Sequence, residues 1–144
     1  MSEILGVEWL CGLYTDPSDV VAIPADNILA MTVEGARKSK LGKDAAAGIY
    51  EVQPFYKLDY KGPQSIEALY SAGGFIDYRS VCFNQRRIMR ARPRFPEWRL
   101  PIELMVETEI MEVSAARDAL RVSGERIGLC DYRPRFGRFH LEDE

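Results

Sequence analysis

From Trp98 to Glu107 the chain alternates. Trp98, Leu100, Ile102, Leu104 and Val106 are apolar, and Arg99, Pro101, Glu103, Met105 and Glu107 stand between them. A period of two sends successive side chains to opposite faces of a strand. The segment therefore predicts a half-buried strand. A strand with one apolar face requires a sheet and something to cover it. Pro101 has no amide to give to a ladder, which confines the strand to an edge or a bulge.

The remaining segments fall around that strand. Gly6 to Tyr14 sets Val7, Trp9, Cys11 and Leu13 against Glu8, Leu10 and Gly12, and predicts another strand. Thr15-Asp16-Pro17-Ser18-Asp19 is turn chemistry. Val20 to Pro24 is extended. Asp26 or Asn27 can cap a helix reaching about Lys38, with Ile28, Met31 and Val33 turned inward. The small residues from Gly42 to Gly48 predict a flexible loop. Ile49 to Tyr60 predicts a strand interrupted by Pro54. Ser65 caps a short helix through Tyr70, and Gly73-Gly74 ends it. Val81 to Ala91 predicts a strand rich in arginine. Ser114 caps a helix to about Arg126, with Ala116, Ala119, Leu120, Ser123 and Ile127 suited to close packing on a sheet. Arg138 to Leu141 closes the chain as a strand. Helices set among antiparallel strands predict an α+β sandwich of the split β-α-β kind, and 144 residues suit one domain spanning 1–144.

Two segments suggest chemistry. The first is Ile127-Gly128-Leu129-Cys130-Asp131-Tyr132-Arg133-Pro134-Arg135-Phe136-Gly137-Arg138-Phe139-His140-Leu141. Its arginines offer a planar fork for phosphates, its aromatics offer faces for unpaired bases, and its glycines allow positive φ or a close backbone approach. Tyr132 and Phe136 are the candidates for stacking, whereas alternation turns Phe139 to the core. The second runs from Tyr78 to Trp98 and holds Arg79, Arg86, Arg87, Arg90, Arg92 and Arg94 with no acid before Glu97. Arg86, Arg87, Arg90, Arg92 and Arg94 are candidates for a backbone groove. The competing reading makes them a solvated face, or partners for the glutamates between 103 and 112.

A net charge of −3 argues against indiscriminate binding to polyanions. The distribution softens that argument. Arginines outnumber lysines 14 to 5, and acids gather at Glu103, Glu107, Glu109 and Glu112 and at Glu142, Asp143 and Glu144. Such a chain can hold a polyanion with one side, or stack on its own copies. Cys11, Cys82 and Cys130 form neither a metal motif nor a disulfide framework. No metal and no cofactor is expected. No apolar run is long enough to span a bilayer, and no basic, apolar leader opens the sequence. The expected location is cytoplasmic, without a membrane partner. His140 is the only histidine and has no nucleophile beside it, so no catalytic residue is assigned.

The run from Gly128 to Leu141 is similar to the glycine-rich loop before the last strand of RAMP proteins, CRISPR-associated RNA-binding proteins of ferredoxin-like, RRM-like fold. Gly128, Arg135, Gly137 and Arg138 match that loop, while Cys130 and Phe136 replace glycines. Ile23-Pro24-Ala25-Asp26-Asn27-Ile28-Leu29-Ala30-Met31 resembles the lead into the first RAMP helix, with Ala25 in place of a glycine and no lysine at Ala30. The chain also resembles a phage or prophage protein of RAMP-like character, which would place it in a bacterial host. The resemblance implies a ferredoxin-like antiparallel sheet with helices on one face, abbreviated at its N-terminal end. It favours the family's backbone type, which lines up along RNA, over its nuclease type. The expected function is non-enzymatic binding of single-stranded RNA or DNA by a homo-oligomer, ring or filament. Tyr132, Arg133, Arg135, Phe136, Gly137 and Arg138 would hold the strand together with the five arginines from 86 to 94. The alternatives are a phage structural or protein-interaction module joined through acidic and basic faces, and an anti-defence protein that binds a nucleotide.

Overall fold

The structure, a computed structural model, describes residues 2–130 and 136–142. The fold is mixed α+β. Its elements are α1 (Ser2–Gly12), β1 (Ala22–Pro24), α2 (Ala25–Arg37), α3 (Gly42–Gly48), β2 (Ile49–Glu51), β3 (Phe55–Lys57) and β4 (Asp59–Tyr60). They continue with α4 (Ile66–Ala72), β5 (Ile76–Phe83), β6 (Arg86–Pro93), β7 (Trp98–Arg99), β8 (Leu104–Val106), α5 (Val113–Val122) and a π-helical turn, Ser123–Ile127. No sheet among the described residues exceeds two strands. The chain divides into two compact units. Unit 1 joins Met1–Ile23 to Tyr56–Pro101, and unit 2 joins Pro24–Phe55 to Ile102–Glu144.

Unit 1 is organised around Trp9, which is 1% exposed. Leu13, Val21, Leu58, Tyr60, Leu69 and Ala91 complete its buried core. The Trp9 indole donates to the Phe75 carbonyl at 3.0 Å, and the Arg94 amide donates to the same oxygen at 2.8 Å. One carbonyl, using both lone pairs, thus ties α1 to the base of the β5–β6 hairpin. Tyr60, Phe75 and Phe95 form a ring cluster with centroids 4.9 to 5.9 Å apart. Burial raises the Tyr60 hydroxyl above its ordinary pKa, because the phenolate would lose its hydration. That hydroxyl donates to the Pro63 carbonyl at 2.8 Å.

The expected strand at Gly6–Tyr14 is instead part of α1 and the turn after it. Its residues are apolar nearly all round: Trp9 is buried while Val7 and Leu10 are exposed. With apolar residues at most positions, periods of two and of 3.6 both find matches. The turn that follows is as expected. The Asp16 carboxylate accepts from the amides of Ser18 at 2.8 Å and Val20 at 3.0 Å. The expected helix after Ser65 also forms: the Ser65 hydroxyl accepts from the Ala68 amide at 3.2 Å, and Gly73 ends it at φ +79°.

Unit 2 is built on α2 and α5. Residues Ile28, Met31, Thr32, Gly35 and Ala36 of α2 are buried at helical spacing. The helix starts one residue before the expected cap. Pro24 holds the N-cap position without a side-chain bond, and Asp26 lies in the first turn. The close packing expected of Ala116, Ala119 and Ser123 occurs, but against a helix rather than a sheet. A Cβ added to Gly35 would overlap the Ser123 hydroxyl and lie 2.5 Å from the Ala119 carbonyl oxygen. Ser123 is fully buried; its oxygen lies 2.6 Å from the Ala119 carbonyl and 3.0 Å from the Met31 carbonyl, so one proton is shared between two acceptors. Gly42–Gly48 is helical rather than a loop, since three alanines at its centre favour helix more than the glycines at its ends oppose it. Ser114 is not the cap of α5. Glu112 takes that position, and the Ser114 hydroxyl points to its carboxylate at 3.4 Å.

Two strand expectations change. Val81–Ala91 is not one strand but the outer part of a hairpin turning at Asn84-Gln85, both at positive φ. The run from Trp98 to Val106 breaks into β7 and β8 with Pro101 between them, at the residue where the chain passes from unit 1 to unit 2. The expected closing strand at Arg138–Leu141 is irregular.

Candidate nucleic-acid interface

The β5–β6 hairpin gathers the central arginines. Its register pairs Ile76 with Pro93 through to Phe83 with Arg86. Residues directly opposite share a face. One face therefore carries Asp77, Arg79, Val81 and Phe83 with Arg86, Ile88, Arg90 and Arg92. The other carries Tyr78, Ser80 and Cys82 with Arg87, Met89 and Ala91. Three of the five candidate arginines thus share a face: Arg86, Arg90 and Arg92 lie on the first, Arg87 lies on the second, and Arg94 follows the strand beyond Pro93.

On the first face Arg79 stands directly across from Arg90. Two like charges at that spacing repel. Each is met by an acid. Asp77 lies 2.6 Å from the Arg79 guanidinium, and Glu8 of α1 lies 3.3 Å from that of Arg90. The segment looked free of acids because its partners lie one residue before it and 82 residues away. Both pairs are partly exposed, so each contributes at most about 1 kcal/mol.

Toward the tip the neutralising acids stop. Cys82, Phe83, Asn84, Gln85, Arg86 and Arg87 are all exposed. Arg86 and Arg87 make no ion pair among the described residues. Phe83 is 57% exposed, and the Arg90 guanidinium sits 6.0 Å from its ring centroid. Phe83 was not among the sequence candidates. Its signal was available, as an aromatic three residues before the Arg86-Arg87 pair. Tyr78 and Met89 are exposed on the second face.

The C-terminal segment belongs to unit 2. Tyr132, Arg133 and Arg135 lie outside the described residues. Phe136 and Arg138 are exposed, and His140 is exposed as well. Gly128 and Gly137 take φ of +81° and +80°, which explains glycine at both positions. The close approach at Gly137 is to the protein itself: the Leu129 amide donates to the Gly137 carbonyl at 3.0 Å, and a Cβ at Gly137 would strike the Leu129 backbone. This contact holds Leu129 and Gly137 side by side. Beyond it, the Phe139 amide donates to the Gly124 carbonyl at 3.0 Å, and its ring covers Gly124.

Among the described residues no group of three or more His, Cys, Asp or Glu side chains is placed to hold a metal ion. Among them, too, no helix is long and apolar enough to cross a membrane. No protein-family model matches the chain, and neither a curated protein nor a solved structure matches it.

Proposed function

We propose that this protein binds single-stranded RNA or DNA without catalysing a reaction on it, and that it self-associates. The observation that carries the reading is the end of the β5–β6 hairpin, where exposed Phe83 lies across the ladder from exposed Arg86 and beside Arg90. An aromatic face beside guanidinium groups suits a base stacked on the ring and a phosphate held alongside. The C-terminal segment adds exposed Phe136 and Arg138, together with Tyr132, Arg133 and Arg135 from the sequence. Contacts of this kind tolerate most base sequences and weaken with salt.

The RAMP-like identity and the ferredoxin-like arrangement belong to the same proposal. The α+β content, the glycine geometry at Gly128 and Gly137 and the helix after Pro24 support them. Among the described residues strands pair only in twos, which speaks against a single four-stranded sheet. A cytoplasmic site in a bacterial host follows from that identity alone.

Fluorescence anisotropy with labelled single-stranded oligonucleotides, at low and high salt, tests the reading. Wild-type protein binds and loses affinity as salt rises. Arg86→Ala weakens binding, and replacing Arg133, Arg135 and Arg138 together with alanine weakens it further. The absence of binding by the wild type at low salt rejects the reading. Cleavage of labelled RNA by the wild type, lost in His140→Ala, rejects its non-enzymatic part.

A further inference from the structure

The β2–β8 ladder of unit 2 pairs Ile49 with Val106, Tyr50 with Met105 and Glu51 with Leu104. Ile49 is buried, so its face turns inward. Tyr50 and Met105 therefore point outward, and they are 45% and 61% exposed. Val52, two residues past Tyr50, is exposed too. Alternation puts Glu103 and Glu107 on the Met105 side, one at each end. The outward face is thus an apolar centre between carboxylates. The second face of the hairpin in unit 1 is its counterpart. Tyr78 and Met89 are exposed there, Arg87 lies two residues from Met89, and that face holds no acid.

We propose that copies of this chain join head to tail, with the Tyr78–Met89–Arg87 face of one hairpin lying on the Tyr50–Met105–Glu107 face of the next copy's ladder. The proposal rests on the self-association in the reading above and names its surfaces. Apolar side chains meet apolar side chains, and a guanidinium meets a carboxylate, the residue types and charge pattern that make a specific interface. A second copy is the occupant because the two surfaces complement each other and one chain carries both. The surfaces differ, so the contact is heterologous: it repeats from copy to copy and either closes into a ring or continues as a filament. Arg86, Arg90 and Phe83, on the opposite face of the hairpin, stay available to nucleic acid.

Light scattering on nuclease-treated protein, across micromolar concentrations, reads the assembly directly. Wild-type protein is expected at multiples of its 16.4 kDa chain mass. Arg87→Glu and Met105→Lys each return it to the mass of one chain, with unchanged circular dichroism because both positions are exposed. The exchange Arg87→Glu with Glu107→Arg in one chain restores the assembly. A wild type at single-chain mass at every concentration overturns the proposal, as does an assembly indifferent to both single variants. Anisotropy on the same samples separates this from the binding reading. A single chain that binds oligonucleotide overturns the interface and keeps the binding. An assembly lost in both variants that binds no oligonucleotide keeps the interface and rejects the binding.

Discussion

Where α2 crosses α5, a single methyl group has nowhere to go; on the β5–β6 hairpin, six residues in a row lie open to solvent. At the crossing, Gly35, Ala119 and Ser123 are chosen for smallness, and two buried hydroxyls are answered by backbone carbonyls. On the hairpin, Phe83, Arg86 and Arg87 stand at the exposed tip, and the ladder sets which of them share a face. The crossing spends its sequence on shape and has little tolerance for change. The hairpin's tip, from Cys82 to Arg87, presents its side chains to solvent. Substitutions in the two regions should therefore fail in different assays.

The largest effect is expected from Gly35→Ala. Alanine favours helix by about 1 kcal/mol over glycine. Against that, the new methyl meets a backbone carbonyl and a buried hydroxyl that cannot move aside. Overpacking of this kind typically costs ~1–3 kcal/mol and occasionally more. Less the helix gain, a net loss of up to about 2 kcal/mol is expected in urea unfolding followed by circular dichroism. A neutral result would dissolve the contrast between the regions. Phe83→Ala comes next and should do the reverse. Loss of one stacked base weakens oligonucleotide binding by roughly 5- to 150-fold, from ~1–3 kcal/mol per base, while the melting curve moves by no more than ~0.5 kcal/mol. Gln85→Gly follows. Glutamine at φ +64° in the hairpin turn is strained, and glycine relieves about 1 kcal/mol. Slower hydrogen exchange across β5 and β6 would register the gain.

The smallest effect concerns Tyr60. Its raised pKa means that the folded chain holds the phenolic proton more tightly than the unfolded chain. The stabilisation is complete below the unfolded value of about 10 and falls as pH rises through the higher folded value. Thermal melts from neutral pH to beyond 10 should show the decline, and Tyr60→Phe should make it shallower.

Much of this was legible in the residues, and the misses have physical causes. Ser65 announced its helix because a cap acts over three residues. The inward face of α2 followed from the spacing of Ile28 and Met31. The Trp98–Val106 alternation was present, but Pro101 ended a strand where an edge or bulge was expected. The hairpin turn at Asn84-Gln85 lacked glycine, so two strands were read as one. Of the site, the clustering of Arg86, Arg90 and Arg92 could be read. Their division from Arg87 and the answering acids Asp77 and Glu8 could not, because register and long-range partners are set by folding.

Neither compact unit is a continuous stretch of chain, and this constrains how the protein can come into being. The chain passes between the units after residues 23, 55 and 101. During synthesis unit 1 lacks its hairpin until the residues near 101 have emerged. By then residues 24 to 55 have already been made and must wait for the segment beginning at Ile102 to complete their own core. Removing residues 102–144 keeps both segments of unit 1 but strands residues 24 to 55 without their partner segment, and removing residues 1–23 does the same to residues 56–101. A protease cut in either long segment leaves fragments that share a core, so the halves should remain associated after cleavage, as a nicked complex.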